Sequence, residues 1–115
     1  MLMPHFLVQF SYTSRSIRAL VERPDEDHAA GAAGLVGSLG GKLLGYWYAL
    51  GSSDGVVLYE APDNTTAASV AMAVGGTGEV SRLQTTALLT MSEARDAMRK
   101  AAGATHLPPG EGGGQ

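Results

Sequence analysis

Cysteine is absent from the 115 residues. That removes disulfides, thiolate zinc sites, iron–sulfur clusters and cysteine nucleophiles. Basic residues are few and dispersed: Arg15, Arg18, Arg23, Lys42, Arg82, Arg95, Arg99 and Lys100 form no cluster, and the formal net charge is −3. Nucleic-acid binding needs grouped Lys and Arg to neutralise phosphates, so no nucleic-acid partner is expected. Long apolar runs are also missing; none approaches the roughly 20 residues of a membrane span. The start, MLMPHFLVQF, has neither the basic region nor the long apolar centre of a secretory signal. These absences lead to the expectation of a cytoplasmic domain without membrane attachment, and the length suits one domain rather than two.

Aromatic residues make up only 6% of the chain, yet most of them fall in one stretch. Gly40 to Pro62, GGKLLGYWYALGSSDGVVLYEAP, holds Tyr46, Trp47, Tyr48 and Tyr59. Its two apolar runs, Lys42–Leu50 and Gly55–Ala61, flank Gly51-Ser52-Ser53-Asp54 and read as a β-hairpin. A four-residue loop at 51–54 would pair Tyr48 with Val57 and Tyr46 with Tyr59. Tyr46, Tyr48 and Tyr59 would then share one face, opposite Trp47, Val56 and Leu58. Three hydroxyls on one face suit a wet cleft or a dimer seam better than a dry core.

Before the hairpin, His5–Tyr12 alternates as a strand, with Phe6, Val8, Phe10 and Tyr12 on one face and His5, Leu7, Gln9 and Ser11 on the other. Thr13-Ser14 offers a helix cap, and Ile17, Leu20 and Val21 form an apolar stripe that Pro24 interrupts. A second helix starts near Pro24-Asp25-Glu26-Asp27 and runs to Gly40-Gly41. Its Gly31, Gly34 and Gly37 each cost roughly 1 kcal/mol against Ala, which close packing along that glycine face would offset. After the hairpin, Pro62 to Thr66 is a turn and cap, Ala67–Val74 is helical, and Val80–Met91 is the last strand. Ser92-Glu93 caps a helix reaching about Ala102. The order β-α-β-β-α-β-α predicts an α+β, ferredoxin-like βαββαβ fold with an antiparallel sheet plus a C-terminal helix. The domain spans 1–103, and 104–115 is a Pro/Gly-rich flexible tail. One sheet face would be bare and apolar, which points to a homodimer or higher homo-oligomer.

The hairpin, with Glu60-Ala61-Pro62-Asp63 after it, resembles the GYD-domain family of small bacterial proteins. Phe6-Leu-Val-Gln-Phe-Ser-Tyr-Thr, Ser38-Leu-Gly-Gly and Leu83-Gln-Thr-Thr-Ala-Leu-Leu-Thr add to the resemblance, which covers roughly residues 4 to 100. It implies a ferredoxin-like fold close to the dimeric α+β barrels and leaves activity open. In the Gly-x-Tyr-Asp signature of that family, Gly and Asp correspond to Gly51 and Asp54, but the Tyr position is Ser53, whose hydroxyl matches neither the pKa nor the reach of a phenol.

Candidate sites follow from residue chemistry. Tyr46, Tyr48, Tyr59 and Gln9 are the ligand-binding candidates. His5, Tyr48 and Arg82 are the catalytic ones, His5 as a general base of near-neutral pKa. Gly51, Asp54 and Gly55 read as turn residues, Gly51 through positive φ and Asp54 through an Asx-type bond. His28 with Asp25, Glu26 and Asp27 is a solvated helix start, because only Asp25 and His28 converge, and no metal is expected. Gly75-Gly76-Thr77-Gly78 lacks the Lys-Ser/Thr of a phosphate loop and terminates a helix; no cofactor is expected. His106 lies in the tail without a role. The first functional reading is an oligomerising module with a ligand cleft on the sheet face. The alternatives are a cofactor-independent isomerase, cyclase or oxygenase, and an accessory subunit that docks a protein partner through its tail.

Overall fold

The computed structural model describes residues 3–105 and 107–110; the expectations for His106 and for 111–115 lie outside them. Strand β1 (His5–Tyr12) is followed by helices α1 (Ser14–Glu22) and α2 (His28–Ser38). Strands β2 (Lys42–Tyr48) and β3 (Gly55–Glu60), helix α3 (Asn64–Gly75), strand β4 (Val80–Leu88) and helix α4 (Met91–Ala102) complete the chain. The sheet order is β2-β3-β1-β4, antiparallel throughout. This is the ferredoxin-like arrangement, with β1 and β3 central.

Residues opposite each other across a ladder share a face. Phe6 lies opposite Tyr59, and Val8 opposite Val57. All four are buried and form the core with Phe10, Val36, Ala61, Ala67 and Val70. Phe6 and Tyr59 stack at 5.5 Å. Gly55 lies opposite Phe10, and a Cβ there would strike the Phe10 ring. The smallest residue is therefore required where an aromatic ring crosses the neighbouring strand.

The other face carries Leu7 opposite Leu58, Gln9 opposite Val56, and His5 opposite Glu60. Trp47, opposite Val56, is 53% exposed there and folds over Gly45, where a Cβ would meet its indole ring. Leu7, Val56 and Leu58 are partly buried on this face, and Trp47 is its exposed member.

Several local expectations need correction. The hairpin pairs Tyr48 with Gly55 and Tyr46 with Val57, two residues from the expected register, because the strands end at Tyr48 and Gly55 and six residues connect them. A shift of two preserves side-chain parity, so the tyrosines still share a face. Among the described residues only Gly40, Gly78 and Gly110 have positive φ, so Gly51 is not the left-handed residue of this turn. Helix α3 begins at Asn64 because Asp63 caps it, its carboxylate accepting from the Thr66 N–H at 2.8 Å.

The last strand ends at Leu88, and the helix cap is Thr90 rather than Ser92-Glu93. Thr90 accepts from the Glu93 N–H, and the Glu93 carboxylate accepts from the Thr90 N–H, forming a capping box. A Cβ at Gly31, Gly34 or Gly37 would meet nothing within 4 Å. The glycine face of α2 is therefore not closely packed within this chain.

Helix α4 stands apart. None of its residues is buried, and Met91 and Met98 are exposed beside Leu89. The radius of gyration is 18.8 Å and the long axis 62 Å, against roughly 13 Å expected for the radius of a compact body of this length. The helix extends from the domain rather than folding onto it.

Candidate functional site

The helix layer does not fill the space above the sheet. Gly31 and Ala32 of α2 and Ala73 of α3 face that space, and their side chains are too small to reach the strands. The result is a cavity of about 560 Å³ between α2, α3 and the sheet, within the range of small-molecule sites. Its floor is aromatic: Phe10, Tyr12, Tyr46 and Tyr59. His28 opens α2 at one end, and Glu79 precedes β4.

Three phenols serve the cavity differently. The Tyr12 and Tyr46 hydroxyls hydrogen-bond each other at 2.7 Å across the β1-β3-β2 order. Burial, then the bond to Tyr46, raises the Tyr12 pKa far above the ordinary phenol value. Tyr46 is also raised, chiefly by burial, although its bond to Tyr12 works the other way and nearby Tyr48 and Glu79 reinforce the rise. Burial likewise raises Tyr59, which is fully buried while its hydroxyl has no hydrogen-bond partner within the described chain. Buried polar atoms are normally satisfied; this hydroxyl is closed off beneath the cavity floor, with no accessible surface of its own. The Nε2 of His28 is unpaired in the same sense, with a Glu26 carboxylate oxygen 3.5 Å away.

Local folding sets these groups in place. Asp54 does not cap its own turn: its carboxylate accepts from the Tyr12 N–H at 2.9 Å, and its N–H donates to the Phe10 carbonyl at 2.8 Å. The hairpin loop is thereby pinned to the end of β1, where Tyr12 must be held. Glu79 is positioned by its carbonyl, which accepts from the Thr13 N–H and the Ser16 hydroxyl at the start of α1.

The residues named from sequence divide between the two faces. Tyr46 and Tyr59 line the cavity; Tyr48 lies at its edge, 61% exposed, with its ring against Tyr46. His5, Gln9 and Arg82 lie on the opposite face, so the candidates His5, Gln9 and Arg82 do not meet the cavity tyrosines. His5 donates from Nδ1 to the Met3 carbonyl and lies 3.9 Å from the Glu60 carboxylate. Arg82 donates to the Ser52 carbonyl and the Ser53 hydroxyl, bracing the hairpin loop. Ser53 is buried beneath that contact. Sequence reasoning missed Tyr12, His28 and Glu79. Tyr12 carried a usable signal, because it continues the Phe6-Val8-Phe10 face; the strand order that brings it to Tyr46 was the missing step.

Among the described residues no helix is long and apolar enough to cross a membrane. No group of three or more His, Asp or Glu among them is placed to hold a metal ion.

Comparison with known proteins places this geometry. The family model described as the GYD domain matches residues 6–98. No curated protein sequence matches. The crystal structure of MtbAldR superposes with a TM-score of 0.51 at 11% identity, covering 76% of this chain and 52% of that one. This chain thus spans about half the length of that protein, and the likeness shows the fold alone. An uncharacterized NIPSNAP-like domain protein from Burkholderia xenovorans gives a TM-score of 0.48 at 20% identity, over 78% of this chain and 86% of the other.

Proposed function

Because the chain belongs to the GYD domain family, whose name states no chemistry, we propose a function from its own geometry: it is a homo-oligomerising module that binds a small apolar molecule between its sheet and helix layer. The cavity carries this reading. Its aromatic floor offers apolar contact, and the Tyr12–Tyr46 hydroxyl pair is the polar feature of that floor. Tyr12, Tyr46 and Tyr59, held protonated, serve as hydrogen-bond donors and not as bases, which favours binding over turnover.

Assembly rests on the other face. Leu7, Val56 and Leu58, partly buried, and the exposed Trp47 form an apolar surface, and a second copy of the same surface is its economical cover. Helix α4, without buried residues of its own, adds to what a neighbouring copy can cover.

Gly31 lines the cavity, and a Cβ there would meet nothing within 4 Å, so Gly31→Phe is the substitution chosen to occupy the space. The neutral apolar fluorophore N-phenyl-1-naphthylamine should bind the wild type saturably, with increased emission. Gly31→Phe should abolish that increase while leaving the circular dichroism spectrum unchanged. Equal emission from both proteins would place the dye elsewhere and overturn the reading.

One observation favours cofactor-independent proton transfer as a second reading: the unpaired His28 Nε2 beside the cavity. Turnover that His28→Gln removes while ligand binding persists would replace the binding reading with that one.

A further inference from the structure

On the reading just given, we infer that the cavity selects an apolar ligand carrying one positive charge, such as an arylalkylamine protonated at neutral pH. The charged residues that line the cavity are Glu26, Asp27 and Glu79, with His28 the one lining group able to carry a positive charge; no Lys or Arg lines it. Arg15 and Arg23 line an adjoining groove that shares Tyr12, Glu26, His28, Thr77 and Glu79 with the cavity. Arg23 pairs with Glu26 at 3.5 Å, both side chains more than half exposed, and Arg15 sits against Gly78.

The three carboxylates are not equivalent. Asp27 is engaged as the cap of α2, accepting from the Ala30 N–H at 3.0 Å. Glu26 is shared between Arg23 and His28. The Glu79 carboxylate has no ion-pair or hydrogen-bond partner among the described residues, and its negative charge is felt at the Tyr46 hydroxyl. It is the carboxylate without a close partner, on the wall the cavity shares with the groove of Arg15 and Arg23.

One further feature fits the same ligand. Phe10, Tyr12, Tyr46 and Tyr59 line the cavity, and a cation over an aromatic face is attracted by the ring quadrupole. A carboxylate guest would instead bring a second negative charge to the Glu79 end of the cavity.

The test is isothermal titration calorimetry at pH 7 and low salt with three probes of one shape. These are 2-(1-naphthyl)ethylamine, 2-(1-naphthyl)ethanol and 1-naphthylacetate. The amine should bind about tenfold more tightly than the alcohol, a ratio of the size expected for one desolvated cation–π or ion-pair contact, and the acetate should bind most weakly. Glu79→Gln should remove the amine's advantage and leave the alcohol's affinity unchanged. Equal affinities, or the acetate binding tightest, would overturn the charge selection while the cavity reading stands. Failure of all three probes, together with failure of the neutral dye, would overturn both.

Discussion

The two faces of one sheet use the same alternation for opposite ends. On the covered face, rings with hydroxyls lie under helices whose Gly31, Ala32 and Ala73 are too small to reach them, and a hollow results. On the bare face, Leu7, Val56, Leu58 and Trp47 present aliphatic and indole surface without a tyrosine. Hydroxyls and hollow coincide, and so do bare surface and aliphatic contact. On the proposed function, ligand and neighbouring copy would meet opposite sides of the sheet, so a substitution should address one without touching the other.

The largest test of that separation compares neighbours on β1. Phe6 is fully buried against Tyr59, so Phe6→Ala should cost about 3–5 kcal/mol in urea denaturation. Leu7→Ala, one residue along on the other face and only partly buried, should cost clearly less in an isolated protomer. Similar losses for both in the protomer would mean that the second face is not bare.

A smaller effect belongs to the phenol pair. Tyr12 titrates well above its ordinary value in the folded chain, so the folded state holds its proton longer than the unfolded one. The resulting stability is present below about pH 10, the unfolded phenol value, and is lost as pH rises beyond it. Denaturation midpoints should fall on the alkaline side of pH 10, and Tyr12→Phe should reduce that slope. At neutral pH the same variant should cost on the order of 1 kcal/mol for the lost hydrogen bond. An unchanged alkaline slope would remove Tyr12 from the account of the cavity floor.

The smallest effect lies in α2. Gly34 is exposed and helical, and a Cβ there meets nothing, so Gly34→Ala should stabilise the protomer by roughly 0.5–1 kcal/mol. Destabilisation would show that the glycine face packs against something beyond this chain.

Much of the architecture was legible because it depends on local periodicity. Phe6, Val8, Phe10 and Tyr12 announce their strand face, and Tyr46, Tyr48 and Tyr59 keep a common face even with the register shifted by two, since parity survives an even slip. What local pattern does not encode is which face the helices cover. That follows from how the crossovers pack, and it decided whether the tyrosines met His5 and Arg82 or His28 and Glu79. The cavity was illegible for a related reason. Gly31, Ala32 and Ala73 read as helix composition, and only their placement over Tyr12 and Tyr46 turns small side chains into empty space. Thr90 was passed over as a cap because the Leu88-Leu89 pair extends the strand pattern past the point where the hydrogen-bond ladder stops.

The separation of the two faces is tested most directly by native mass spectrometry of wild type, Gly31→Phe and Trp47→Asp, each purified gently from its own host. The wild type should be a homo-oligomer carrying an added small mass. Gly31→Phe should keep the oligomer and lose the added mass, and Trp47→Asp should fall to protomers that retain it. A wild-type protomer without added mass, or a small mass that persists in Gly31→Phe and leaves with assembly in Trp47→Asp, would contradict the assignment of ligand to one face and neighbour to the other.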